Sequence, residues 1–125
     1  MPALTEAKNL GDLLKYEAPN LYSRDRVTVA SGQNLALGTV VGSVTATGKV
    51  KGLDPSASDG TKVPTGVLLD PIDARLADHP DGLIVARHAV VADTALVWPA
   101  GITGAEKTAA LATLKSLGIL ARPSV

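Results

Sequence analysis

The chain has 125 residues, with 12 Lys plus Arg against 12 Asp plus Glu, no cysteine, and three aromatics (Tyr16, Tyr22 and Trp98) in a sequence that is 46% hydrophobic. One domain is expected at this length. The even charge argues against the basic face that nucleic-acid binding needs, and the lack of cysteine excludes disulfides, thiolate metal sites and thiol nucleophiles. The first residues show no signal-peptide pattern, and no apolar run approaches the ~18 residues that span a bilayer, so a soluble chain made in a cytoplasm is expected. With Val, Leu and Ala supplying almost all apolar mass, the core is expected to be thin and to gain stability from oligomerisation or a partner.

Residues 1–24 stand apart, with Pro2, Gly11, Pro19 and a short apolar cluster at Leu10, Leu13 and Leu14. Two of the three aromatics, Tyr16 and Tyr22, fall here. Tyrosine suits a surface where the ring is buried against a partner while the hydroxyl stays wet, so the segment reads as an interaction arm. From Arg26 the pattern has period two. "RVTVASGQNLALGTVVGSVTATGKVKG" alternates Val and Leu with Thr, Ser and Gly, which predicts short strands separated by glycine turns. "LDPSASDGTK" reads as a surface loop, and "VPTGVLLD" as a short strand with Pro64 at an edge or a strand start.

"PIDARLADHPDG" is a second polar loop. "LIVARHAVVADTALVW" then predicts one long or two short buried strands, with a hairpin-like break near Ala92–Asp93. A helix follows near 104–117. Thr103 and Glu106 have capping-box spacing, Ala110, Leu111, Leu114 and Leu117 line one face, and Gly118 stands where a left-handed C′ residue is wanted. Trp98 and Pro99 mark the hand-over, with Trp98 as a core anchor closing a strand and Pro99 ending its pairing. The tail "ILARPSV" is expected to return as a last strand before Pro123.

Chemistry is hard to find in these residues. "GSVTATGKV" has five residues between its glycines where a phosphate-binding loop has four, and Val50 where Ser or Thr would hold magnesium; it reads as a glycine-rich hairpin. Asp54, Asp59, Asp70, Asp73, Asp78, His79 and Asp81 lack the alternation and closing Glu of a calcium loop, so turn-forming aspartates explain them better. His88 has no second histidine at helical spacing and is expected to be structural or interfacial. No Gly-x-Ser-x-Gly elbow is present. A non-enzyme without metal or cofactor is expected, the rival reading being a small β-barrel that stacks a carbohydrate or peptide on Trp98.

Taken in order, "SRDRVTVASGQNLALGTVVGSV" (23–44), "DGTKVPTGVLLDPIDA" (59–74), "GLIVARHAVV" (82–91) and "LVWPAGITGAEKTAALATLKSLGI" (96–119) resemble the head decoration proteins of tailed bacteriophages, the family of the lambda head decoration protein. The segment before the first strand is longer here than in the lambda protein. The resemblance implies a mainly β, β-clip-like small barrel with one C-terminal helix, forming a homotrimer on the outer capsid surface of the virion. It implies the major capsid protein as partner, with neither nucleic acid nor membrane contacted, and a cementing role at three-fold positions of the expanded head. In such proteins the N-terminal arm orders on the capsid and pairs with its backbone. Residues 1–24 are therefore expected to be the capsid-binding arm and 25–125 the decoration domain, with Tyr16, Pro19, Leu21, Tyr22 and Arg24 at the contact.

Overall fold

The computed structural model describes residues 10–123. A single helical turn, α1 (Leu10–Leu13), runs into β1 (Leu14–Glu17), and a 3-10 turn at Pro19–Leu21 leads to β2 (Arg24–Val29). Then come β3 (Gln33–Leu35), β4 (Val40–Ser43), β5 (Val50–Gly52), β6 (Pro64–Leu68), β7 (Ile72–Ala74), β8 (His79–Val85) and β9 (Ala89–Ala92). A 3-10 turn at Asp93–Ala95 precedes α2 (Gly104–Ser116) and β10 (Ile119–Arg122). The chain is mainly β with one long helix near its C-terminal end, as its periodicity predicts.

Five strands pair in the closed order β2-β5-β4-β6-β8, with β8 returning to β2 in antiparallel register from Arg24↔Val85 to Val29↔His79. The β4–β5 connection is the glycine-rich hairpin expected at 42–50, its turn bonded from the Val44 N–H to the Lys49 C=O. Pro64 opens β6, where a strand tolerates a residue without an N–H. β3 and β7 form a separate two-stranded sheet, and β1-β9-β10 a three-stranded one.

Two cores result, and alternation along β4, β6 and β8 supplies both. Val41, Leu68 and Ile84 join Val29 and Val50, one residue from each barrel strand, in an inner core that Leu35, Ile72 and Ala74 of the small sheet extend. Their neighbours Val40, Val67 and Val85 point the other way, into an outer core with Leu13, Val91, Ala110, Leu114 and Ile119. A wall buried on both faces explains the adjacent apolar pairs Val40–Val41, Val67–Leu68 and Ile84–Val85.

Thr103 and Glu106 form the expected capping box: the Glu106 N–H donates to Thr103 Oγ1 and the Thr103 N–H to Glu106 Oε1. Gly118 takes the left-handed conformation (φ 84°) and its N–H donates to the Lys115 C=O. β10 follows at once, in parallel register with β9.

One expectation, the position of a strand break, needs correction. The strand region 83–98 does divide, but at Ala86–His88, where β8 leaves the barrel and β9 enters the other sheet. His88, at φ 50°, makes the corner without glycine or proline. The chain is interrupted again at Asp93, by a 3-10 turn rather than a hairpin. Within the segment 1–24, the residues from Leu10 onward pack on the strands: Leu13 is 0% exposed and β1 pairs with β9 from Leu14↔Val91 to Glu17↔Ala89. Residues 1–9 lie outside the described residues.

Candidate functional site

Residues 10–24 form a strap across the outer core, latched to the β8–β9 corner. Leu13 fills the outer core, which stabilises a leucine side chain by about 1.5–3 kcal/mol. Ser23, fully buried, gives the latch its centre. Its hydroxyl donates to the His88 C=O at 2.8 Å and accepts from the Ala18 N–H at 3.0 Å, while the Ala18 N–H also reaches the His88 C=O at 3.2 Å. The Ala86 N–H donates to the Ser23 C=O at 2.7 Å. These bonds satisfy the Ala18 N–H and the Ser23 C=O where the strap meets the β8–β9 corner.

Charged side chains tie the same corner. Arg24 donates from Nε and Nη2 to both carboxylate oxygens of Glu17, at 2.8 and 2.7 Å, bridging β2 to β1. That two-pronged bond holds the Glu17 carboxyl below the usual carboxylate range and raises the Arg24 guanidinium. Arg87 donates to the Tyr22 C=O at 2.7 Å and to Asp25 at 2.6 Å, and its guanidinium lies 5.5 Å from the Tyr22 ring centre. Tyr22 in turn meets His88 edge to face, with centroids 5.2 Å apart.

Beside the exposed Asp12 and Lys15, the strap turns apolar side chains outward. Tyr16 is 58% exposed, Leu21 64% and Tyr22 55%, and Pro19 is also exposed. Leu21 and His88 are the two non-glycine residues with positive φ among the described residues, at 59° and 50°. Such backbone costs of order 1–3 kcal/mol per residue and persists where surrounding bonds over-determine it, as the bonds to the His88 C=O do here.

Of the five residues expected at the contact, Tyr16, Pro19, Leu21 and Tyr22 present surface, while the Arg24 guanidinium is engaged by Glu17. Sequence reasoning missed Ser23 and Arg87, and gave His88 a structural or interfacial role without its place. His88 sits at the corner between strands rather than within one, and the Asp25–Arg87 pair spans 62 residues that no local pattern connects.

At the other end of the outer core, Val97 makes a parallel bridge to Thr39, and Pro99 ends the pairing. Trp98 is half-buried against the outer core, with the Lys107 ammonium 5.7 Å from its ring centre. The ring therefore seals the rim of the core instead of filling its middle.

The acidic loops are turns. Asp54 accepts from the Ser56 N–H, Asp59 from the Thr61 N–H and Asp73 from the Arg75 N–H, each two residues on, in the Asx geometry expected of them. Asp78 pairs with Lys49 and accepts from the Ser31 N–H, fastening the β7–β8 loop to the β2–β3 turn. Among the described residues no group of three or more His, Cys, Asp or Glu side chains is placed to hold a metal ion. No helix described is long and apolar enough to cross a membrane.

No curated protein sequence matches the chain. The family described as bacteriophage lambda head decoration protein D matches it over residues 3–119, from the segment preceding the strap to the first residue of β10. A match across nearly the whole chain places it: the protein belongs to the phage lambda head decoration protein D family, a structural rather than enzymatic one associated with the phage capsid.

Proposed function

We propose that this protein is a capsid cement, docking as a homotrimer at three-fold positions on the outside of the expanded head and stabilising it against the pressure of packaged DNA. The family match over residues 3–119 carries this reading. The closed ring of short strands with a covering helix supports a β-clip-like body. Residues 1–24 supply the capsid contact, with Tyr16, Pro19, Leu21 and Tyr22 as its apolar surface and Arg24 as the residue that sets the strap's shape through Glu17. Four exposed apolar side chains on one latched segment suit a docking patch, since large apolar side chains clustered on a surface mark interaction sites. The exchange is one of burial and backbone pairing, with no covalent step.

The structure dictates how this is tested. Deleting residues 1–24 would remove Leu13 and β1 and so damage the outer core, which makes truncation uninformative. The double variant Tyr16→Ser, Leu21→Ser alters exposed side chains and leaves the Tyr22 contacts with Arg87 and His88 in place. It is expected to lower co-sedimentation with expanded capsids at least tenfold while leaving the melting temperature close to that of the unaltered protein. Undiminished binding would remove the strap from the contact.

A further inference from the structure

β10 is an outer strand of the three-stranded sheet, with β9 on one side and no strand on the other among the described residues. The Ala89 N–H donates to the Gly118 C=O at 3.0 Å. Peptide groups alternate in direction along a strand, so Leu120 and Arg122 turn theirs toward β9, while Ile119 and Ala121 direct theirs to the open edge. An unpaired edge is a template for another strand.

Beside this edge lies an open groove of about 420 Å³ between α2 and β10. Leu111, Leu120 and Ala121 give it an apolar, half-buried floor, and Lys115 and Arg122 stand at its margins, both exposed. These two cations differ from six of the nine other Lys and Arg residues among those described, Lys15, Lys62 and Lys107 being the rest. Arg24, Arg26, Arg75 and Arg87 each pair with a carboxylate, as do Lys49 and Lys51. Arg122 is the one arginine among the described residues with no carboxylate in salt-bridge range, and Lys115 has none either. Glu106 on the same helix is taken up by the capping box. Lys115 complements the C-terminal end of α2, a role that leaves its ammonium free to meet a further anion.

We propose that the β10 edge and the α2–β10 groove receive an extended, carboxylate-bearing segment of the capsid protein. The segment adds to β10 as a fourth strand, seats alternate apolar side chains on Leu111 and Leu120, and sets its acidic side chains against Lys115 and Arg122. The inference rests on the capsid-cement reading and gives it a second contact, on the edge of the sheet opposite the strap. A second copy of this chain is the poorer occupant, because β10 against β10 would bring Arg122 and Lys115 toward like charges.

The test is amide hydrogen exchange of the unaltered protein, free and bound to expanded capsids, joined to capsid binding by the charge-reversed variant Lys115→Glu, Arg122→Glu. Binding is expected to slow exchange at Ala121 at least tenfold, and the variant to bind roughly tenfold more weakly, an effect that shrinks as salt rises. If the unaltered protein binds capsids but Ala121 exchanges as in the free protein, this inference is overturned and the capsid reading stands. Protection of Ala121 that rises with protein concentration alone assigns the edge to a second copy and also overturns it. Failure of the unaltered protein to bind capsids at all overturns both.

Discussion

Inside the barrel, Val29, Val41, Val50, Leu68 and Ile84 meet because five strands alternate, and the stretch from Val29 to Ile84 suffices to assemble them. On the outside, Leu13, Val91, Ala110, Leu114 and Ile119 arrive from the strap, from β9, from α2 and from β10. The inner core belongs to one continuous architecture. The outer core is a meeting place for both ends of the chain, held shut by a polar latch at Ser23 and His88. Segments held by fewer and more specific contacts are the ones whose local stability a partner can change. The outward apolar side chains of the strap and the open edge of β10 both lie on that outer layer.

The largest effect that would sharpen this contrast is expected from Leu13→Ala. Emptying a fully buried leucine site costs about 2–5 kcal/mol, to be measured by denaturant unfolding, whereas a residue of a loose tail would change stability by less than ~0.5 kcal/mol. Leu68→Ala should cost a similar amount from the inner core. Hydrogen exchange separates the two: the Leu13 variant is expected to loosen β1 and β9 first and the Leu68 variant the barrel strands. Identical exchange patterns would show that the two cores open as one.

A smaller loss is expected from Ser23→Ala. The substitution removes a hydroxyl that serves the Ala18 N–H and the His88 C=O, and a buried group left short of a partner costs about 1–3 kcal/mol. Tyr22 fluorescence or ring NMR signals should report the loosened corner, since that ring packs on His88. An unchanged Tyr22 signal with full stability would show that the latch lies elsewhere.

The smallest effect concerns acid. Because the Arg24 bond lowers the Glu17 carboxyl below its ordinary value of 4.5, the unfolded chain binds that proton more readily than the folded one. Stability from this pair is fully present above that ordinary value and declines as pH falls through the lower folded one. Partly exposed pairs of this kind contribute about 0.2–1 kcal/mol. Glu17→Gln should lower stability by that amount at neutral pH and flatten the acid limb of a stability-versus-pH curve; an unchanged acid limb would assign the limb to other carboxylates.

How much of this was legible in the sequence follows the same division. The barrel strands, the hairpin at 42–50, the Asx turns and the capped helix with Gly118 and β10 are all local events, written in periodicity or in residues two to four apart. The strap was not legible, because "LGDLLKYE" shows neither period two nor a helix long enough to notice, and its fate depends on β9 some 75 residues away. The corner at Ala86–His88 was missed for a related reason. His88 adopts a conformation that glycine or asparagine would advertise, and distant bonds from Ala18 and Ser23 hold it there. Trp98, expected to close a strand as a core anchor, follows an isolated bridge at Val97 and is half-buried, since residue type alone does not say how much of a ring a small core will cover.

The two-sided wall carries one further consequence. Val40 and Val41 are both fully buried, one in each core, and so are Val67 and Leu68. Sliding such a strand by one residue exchanges one large aliphatic for another, so the usual hydrophobic penalty for a wrong alignment is missing. Two glycines supply it instead. A methyl group at Gly42 would lie 2.6 Å from the Thr61 carbonyl oxygen, and one at Gly66 would lie 2.5 Å from that of Val85. Any slipped pairing drives a side chain into one of those gaps. The alignment of the barrel is thus written in atoms the chain leaves out, a kind of instruction that no tally of attractive contacts would reveal.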